Sequence, residues 1–187
     1  MQLDRDEIAR LTEERGGVWG INHTRRLLKL VEQIGKGLNY DHEALWIAAH
    51  LHDWGAYAPW AQKGVDHVAR SSQVAREYLT DHDCPAYLKA LILECIALHH
   101  QAGSDRSLEA VLLRDADGLD FLGVVGVLRD FSKNPRDLRL AYEQVKKRRA
   151  SVPSILQLER AKTLAQDRVR EMDAMLEQLE MDSFGCF

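Results

Sequence analysis

Apolar residues recur at intervals of three and four along almost the whole chain, which is the spacing of one face of an α-helix. The pattern is clear in the segment INHTRRLLKLVEQI, where Leu27, Leu30, Val31 and Ile34 are followed by Gly35, a residue that favours a helix end. No segment shows the alternation of apolar and polar residues that is typical of a β-strand. The sequence therefore predicts an all-α fold, a compact helical bundle.

The capping and loop residues between the apolar stretches predict where the helices lie. Asp41 is an expected N-cap for a helix that carries Ala48 and Ala49 to His52, and residues 54–66 are an expected loop. Further helices are predicted over 66–79, from Pro85 onwards, over 105–130, over 137–149 and from Ser154 to about Glu180. The last of these would be about 40 Å long. With no linker or repeat, we expect one domain over 1–187, with a core of about 16–130 and a helical extension of about 137–180.

Charge and cysteine content exclude several classes of protein. Lys and Arg number 25 against 29 Asp and Glu, and the net charge of −4 argues against an extended nucleic-acid surface, although a local basic pocket remains compatible. The three cysteines form no CxxC pair, so a disulfide framework is not expected. The charged N-terminal residues do not resemble a signal peptide, and no apolar run approaches the roughly 20 residues of a membrane span. We expect a cytoplasmic protein.

The histidines are concentrated in one part of the chain. All eight lie between residues 23 and 100, and several are on apolar faces, where an imidazole needs partners for both ring nitrogens. His52 and Asp53 are adjacent at the end of an apolar helix, where the last turn can open and bring both side chains onto one ion. The remaining ligands of such an ion would come from other helices, with His23 and Asp117 as candidates.

Five segments, taken in order, resemble the HD-domain superfamily of metal-dependent phosphohydrolases, and the smaller bacterial HD hydrolases in particular. These segments are HTRRLL, AAHLHDWG, HVARSSQVAREYL, ECIALHH and DADGLDFLGVVGVLR. The resemblance implies that His23, His52, Asp53 and Asp117 bind a metal ion, with His52 and Asp53 at the catalytic centre. His50 departs from the family pattern and is not expected to be a ligand.

The resemblance also implies residues around this centre. In members with two metal ions, additional histidines follow the His-Asp pair, and His67 and His99 occupy matching places, with His100 as an alternative to His99. Arg26 and Arg129 match family positions for phosphate binding, and Lys63 in the loop is a further candidate. The alternative for each of these two arginines is an ion pair inside the protein. Asp115 and Asp120 compete with Asp117, but we expect them to cap a helix or to pair with Arg114.

The resulting hypothesis is hydrolysis of a phosphate ester, a nucleotide or another small phosphomonoester or diester, by a metal-activated water. Mixed histidine and carboxylate ligands favour Mn, Fe, Co, Ni or Zn over Mg, with one or two ions per chain. The segment QAGSDRSLEA lacks the Gly-Tyr-Pro motif of the cyclic-dinucleotide branch. Two alternatives remain: a di-iron oxygenase on the same scaffold, and a non-enzymatic, metal-stabilised ligand sensor. The expected partner is a phosphorylated small molecule, and a homo-oligomer is compatible with the last helix.

Overall fold

A computed structural model describes residues 3–101, 103 and 105–187. These residues form eight α-helices and a short 3-10 turn at Trp54–Ala56, with no strand among them, which confirms the all-α prediction. The helices are α1 Arg5–Ile34, α2 His42–Leu51, α3 His67–Asp81, α4 Ala86–Leu98, α5 Leu108–Asp120, α6 Gly123–Lys133, α7 Leu138–Ile155 and α8 Glu159–Asp182.

The chain divides into two compact units, residues 1–114 and 115–187, with the boundary inside α5. In the first unit, α1 packs on α2, α2 packs on α4, and α3 packs on both α4 and the 3-10 turn. In the second unit, α6 packs on α7 and α8, which also contact each other. The expectation of one domain over 1–187 stays a prediction.

Asp41 caps the start of α2, as its sequence position predicts, and Asp66 caps the start of α3. The Asp41 carboxylate accepts hydrogen bonds from the N–H groups of Glu43 and Ala44 at 3.0 and 2.9 Å. The Asp66 carboxylate accepts one from the Ala69 N–H at 3.0 Å. These bonds satisfy donors that have no partner inside a helix, so they fix where α2 and α3 start.

The segment predicted as a single helix over 105–130 is instead two helices. α5 ends at Asp120, and α6 begins at Gly123, whose φ of +74° suits a residue without a side chain. The turn is so tight that a Cβ at Gly126 would lie 2.1 Å from the Phe121 carbonyl oxygen. The apolar spacing continues across this turn, which is why the pattern alone did not reveal it.

The last helix also begins later than predicted. α7 continues through Pro153 to Ile155, and α8 begins at Glu159 instead of Ser154. The start of α8 is fixed by Asp115, whose carboxylate accepts hydrogen bonds from the N–H groups of Gln157 and Leu158 at 2.7–3.1 Å. α8 has 24 residues and is about 36 Å long.

The sequence predicts neither a membrane span nor a disulfide framework, and both expectations can be compared with the part of the chain that the structure describes. None of its helices combines the length and the apolar character that crossing a bilayer requires. Cys84, Cys95 and Cys186 are free thiols.

Candidate metal centre

The end of α2 brings two adjacent side chains together. The helix ends at Leu51, His52 caps it, and Asp53 leaves it with φ −107° and ψ 5°. His52 Nε2 consequently lies 3.4 Å from Asp53 Oδ2. Neighbours inside a helix point about 100° apart, so this approach depends on the helix ending here, as predicted.

His23 on α1 completes a cluster with this pair. Its Nε2 lies 3.3 Å from His52 Nε2 and 3.8 Å from Asp53 Oδ2. The side chains of His23 and His52 are 2% and 1% exposed, whereas that of Asp53 is 25% exposed. These three residues are called the first cluster below. His23 lies about 30 positions before the adjacent His52 and Asp53, and the three form a buried donor set with one solvent-facing carboxylate.

The donor set of the first cluster fits a transition-metal ion. His52 Nδ1–H donates to the Ala49 carbonyl at 2.9 Å, which leaves the lone pair of the neutral ring on Nε2, the nitrogen that faces His23 and Asp53. Ligands at about 2.0–2.1 Å from a tetrahedral ion lie roughly 3.3 Å from one another. The separations of 3.3 and 3.4 Å match that spacing. The part of the prediction that concerns His23, His52 and Asp53 thus has a geometry suited to metal binding.

A second cluster contains all three histidines that the sequence suggests for a second ion. His67 is the first residue of α3, His99 caps α4, and His100 follows it. One nitrogen from each lies within 4.8 Å of the others, so these residues form a second group that could hold a metal. His99 Nδ1–H donates to the Ile96 carbonyl at 2.6 Å, which fixes its tautomer as in His52.

The two clusters are adjacent. The ring centroids of His52 and His99 are 5.1 Å apart, and the rings meet edge to face. Both clusters lie within the first unit. Their proximity favours neither one nor two ions by itself, because an unmetallated histidine also packs well against another ring.

Asp117 lies on α5 in the second unit, and it is 4% exposed. Its role as a ligand stays a prediction. The two competing aspartates have structural roles within that unit: Asp115 caps α8, as expected of a capping residue, and Asp120 forms a buried ion pair with Arg129.

The residues proposed to bind phosphate lie in different surroundings. Arg26 is half-buried on α1, one turn after His23, and Lys63 is exposed between the 3-10 turn and α3. Arg129 is 8% exposed, and its guanidinium pairs with Asp120, which supports the internal ion pair weighed against its phosphate role. The phosphate roles of all three stay predictions.

His50 belongs to the core instead of to either cluster. Its Nδ1–H donates to the Trp46 carbonyl at 2.9 Å, and its ring lies 3.8 Å from the Trp46 ring. Burial lowers the pKa of His50 to about 4, so the ring is neutral at pH 7. This environment agrees with the expectation that His50 is not a ligand.

Sequence reasoning did not identify the contacts that hold the loop after Asp53. Trp54 is fully buried, and its indole N–H donates to Thr12 Oγ1 at 2.9 Å. The Tyr57 side chain packs so closely on α1 that a Cβ at Gly16 would lie 2.7 Å from its ring, and a Cβ at Gly20 would lie 2.7 Å from its hydroxyl oxygen. Gly17, which lies between these two glycines, has a non-helical φ of +62° and ψ of −168°, so their spacing by four residues is not one regular helical turn, and no local sequence pattern reveals this contact.

Comparison with known proteins identifies a protein family and several similar structures. The family model described as HD domain matches residues 20–122. A comparison with curated proteins finds no match. A protein described as a predicted HD superfamily hydrolase, from an uncultured Thermotogales bacterium, has a similar structure, with 24% identity, a TM-score of 0.70 and coverage of 95% of this chain and 92% of that one.

Two further solved structures are similar at comparable length. Bacillus subtilis YpgQ in complex with ADP shares 22% identity and a TM-score of 0.73 over 96% of this chain and 97% of that one. An HD-superfamily hydrolase from Bacillus thuringiensis shares 18% identity and a TM-score of 0.72 over 97% of both chains. These likenesses concern the fold. The match of the family model over more than half of the chain shows that this protein belongs to the HD domain family.

Proposed function

We propose that this protein is a metal-dependent phosphohydrolase whose substrate is a nucleotide or another small phosphomonoester or diester. The first cluster is the observation that carries the proposal, because two buried imidazoles and a half-buried carboxylate meet at ligand spacing. Membership of the HD domain family supports metal-dependent hydrolysis. The complex of YpgQ with ADP supports a nucleotide as the substrate class.

The residues proposed to hold the ion are His23, His52, Asp53 and Asp117, and a second ion would be held by His67 with His99 or His100. Mn, Fe, Co, Ni and Zn suit these mixed ligands. When bound, such an ion lowers the pKa of a coordinated water and polarises a phosphoryl oxygen.

The chain itself orients the reacting groups. The hydrogen bond to the Ala49 carbonyl holds the His52 ring in one tautomer and one orientation. Asp53 is the most exposed member of the first cluster, so its carboxylate is proposed to orient the attacking water and to accept its proton. Arg26 and Lys63 are proposed to neutralise the phosphate, with Arg129 as the third candidate.

The experiment that tests this proposal combines elemental analysis with an activity screen. Protein purified without added metal is expected to contain a transition metal and to hydrolyse members of a nucleotide and phosphoester panel. His52→Ala and Asp53→Ala are expected to lose metal and activity while remaining folded. His82→Gln is the matched control, because His82 pairs with Glu7 at the end of α3 and belongs to neither cluster. Full metal content and full rate in Asp53→Ala would contradict the proposal.

The second cluster supports one alternative reaction, that of a di-iron oxygenase. Its ring contact with His52 places a further histidine donor set beside the first cluster. Two irons per chain, with oxygen consumption and no phosphoester hydrolysis, would favour this alternative. Stable metal binding without turnover of any panel member would instead favour a ligand sensor.

The proposal also includes the setting in which the protein acts. Free thiols at all three cysteines are compatible with a reducing, cytoplasmic compartment. The proposed partner is a phosphorylated small molecule. The amphipathic face of α8 is compatible with a homo-oligomer.

A further inference from the structure

A separate cavity of about 370 Å³ lies between α1 and the start of α2, in the first unit. Arg25 and Lys29 line it from α1, and Trp46 lines it from α2. Since successive helical residues turn by about 100°, Arg25 and Lys29 point away from the side of α1 that carries His23. Trp46 lies six residues before His52, which is about 9 Å along the helix. The cavity is therefore distinct from the candidate metal centre.

The charge of this cavity has the opposite sign to that of the whole chain. Its walls carry three cations, Arg5, Arg25 and Lys29, and one carboxylate, Glu32, although the protein has a net charge of −4. Lys29 Nζ donates to Glu32 at 2.9 Å, whereas Arg25 donates to the neutral Asn22 amide oxygen at 3.3 Å. Within the described part of the chain, neither Arg5 nor Arg25 pairs with a carboxylate. An excess of two positive charges complements a phosphate monoester, which carries about −1.5 to −2 at pH 7.

Arg5 contacts an aromatic residue of the cavity wall. Its guanidinium lies over the Trp46 ring, 4.9 Å from the ring centroid. This contact with the ring does not use the guanidinium N–H groups as hydrogen-bond donors to an acceptor, so they can donate to an oxyanion. The ordering entropy of this long side chain is thus reduced before a ligand arrives.

The cavity also has apolar residues in its lining. The buried Val31 and Leu45 and the half-buried rings of Tyr40 and Trp46 are part of this lining. A volume of about 370 Å³ suits one small molecule. A bare phosphate ion would leave this apolar surface in contact with water, so the cavity favours a phosphate that carries an organic body.

We propose that this cavity is a binding site for a small organic phosphate of about the size of a mononucleotide, separate from the metal centre. Arg5, Arg25 and Lys29 bind the phosphate, and the apolar residues of the lining contact the organic part. The site does not depend on the proposed function, because none of its residues belongs to either histidine cluster.

The test follows the Trp46 indole N–H resonance by NMR in the full chain with Zn²⁺ present. The probes are adenosine 5′-O-thiomonophosphate (a hydrolysis-resistant nucleotide), inorganic phosphate and adenosine, and Trp46→Phe assigns the resonance. The thionucleotide is expected to shift this resonance to saturation, with a midpoint at least about tenfold below those of the other two probes. No shift at about 10 mM thionucleotide, or an equal midpoint for inorganic phosphate, would overturn the proposal.

Two variants assign any binding to the cavity. The double variant Arg25→Gln, Lys29→Gln is expected to raise the thionucleotide midpoint at least about tenfold, because it removes two charged donors. The matched control is Arg10→Gln, an exposed arginine of the same helix that lies outside the cavity and pairs with Glu14. Its midpoint is expected to equal that of the unmodified chain. Equal midpoints in the double variant and in the control would also overturn the proposal.

Discussion

His50 and His52 differ by two positions and have different surroundings, because they point to nearly opposite sides of the end of α2. His50 stacks on Trp46 and donates to its carbonyl, whereas His52 presents Nε2 to His23 and Asp53. The residue type alone thus does not distinguish a core histidine from a candidate ligand. The atoms that face each ring distinguish these two kinds of histidine.

Replacing His50 is therefore expected to affect stability more than metal binding. His50→Ala removes a buried ring from its contact with Trp46 and is expected to cost about 2–3 kcal/mol of unfolding free energy. Urea denaturation measures this loss, and elemental analysis is expected to show unchanged metal content. His52→Ala is the comparison, with metal lost. Loss of metal from a folded His50→Ala protein would mean that His50 belongs to the metal centre.

At the scale of elements, the approach of the 3-10 turn to α3 positions the loop that follows Asp53. A Cβ at Gly55 would lie 2.2 Å from the Ser71 nitrogen, and the Gly55 N–H donates to Ser71 Oγ at 2.9 Å. Gly55→Ala must move backbone and is expected to cost at least about 2 kcal/mol and to weaken metal binding. Denaturation and metal titration measure the two effects.

Gly64→Ala, in the same loop, is the matched control for Gly55→Ala. Gly64 has a φ of +82°, and a Cβ there would meet no other described residue within 4 Å, so only backbone strain of about 1–2 kcal/mol is expected. Metal affinity is expected to remain unchanged. Equal metal affinity in Gly55→Ala would show that the position of the loop does not influence Asp53.

The cap that Asp115 provides for α8 gives a second expectation for an element. Asp115 is fully buried, and Asp115→Ala leaves the N–H groups of Gln157 and Leu158 without their acceptor. We expect a loss of about 2–3 kcal/mol in the free energy of unfolding, measured by urea denaturation. Asp137→Ala removes the exposed cap of α7 and is expected to cost about 1 kcal/mol. A loss no greater than that of Asp137→Ala would contradict the structural role of Asp115.

These elements also show how far sequence could predict the structure. The caps at Asp41 and Asp66 were predictable because each aspartate bonds to N–H groups two or three residues away. The start of α8 was not, because its cap, Asp115, lies more than 40 positions earlier. The division of 105–130 into α5 and α6 was missed for a related reason, since the apolar spacing continues while the backbone turns at Gly123.

At the scale of the whole molecule, the candidate site was predictable because its residues are chemically unusual for a core. His23, His52 and Asp53 were identified from residue type and order, and the structure brings them within ligand spacing. The contacts of Tyr57 with Gly16 and Gly20 were missed, because they depend on a close approach of the loop to α1 that no local sequence pattern indicates. The ligand role of Asp117 remains a sequence prediction.

Binding of an ion at the first cluster is expected to stabilise the fold, because the cluster joins α1 to the end of α2. An ion that binds only the folded chain at a concentration of 100 times its Kd adds about 2.7 kcal/mol to the free energy of unfolding. For a chain of this size, that gain corresponds to a rise in Tm of about 5–10 °C. Thermal unfolding with chelator and with added Mn²⁺ measures it, and His82→Gln is expected to show the same rise.

The His52→Ala variant separates this stabilisation from weak binding of Mn²⁺ to surface carboxylates. The variant lacks the imidazole that faces both His23 and Asp53, so its Tm is expected to be the same with chelator and with Mn²⁺. A surface effect would instead raise the Tm of both chains equally, because the exposed carboxylates are identical in them. An equal rise in His52→Ala and in the unmodified chain would therefore place the stabilising ion outside the first cluster.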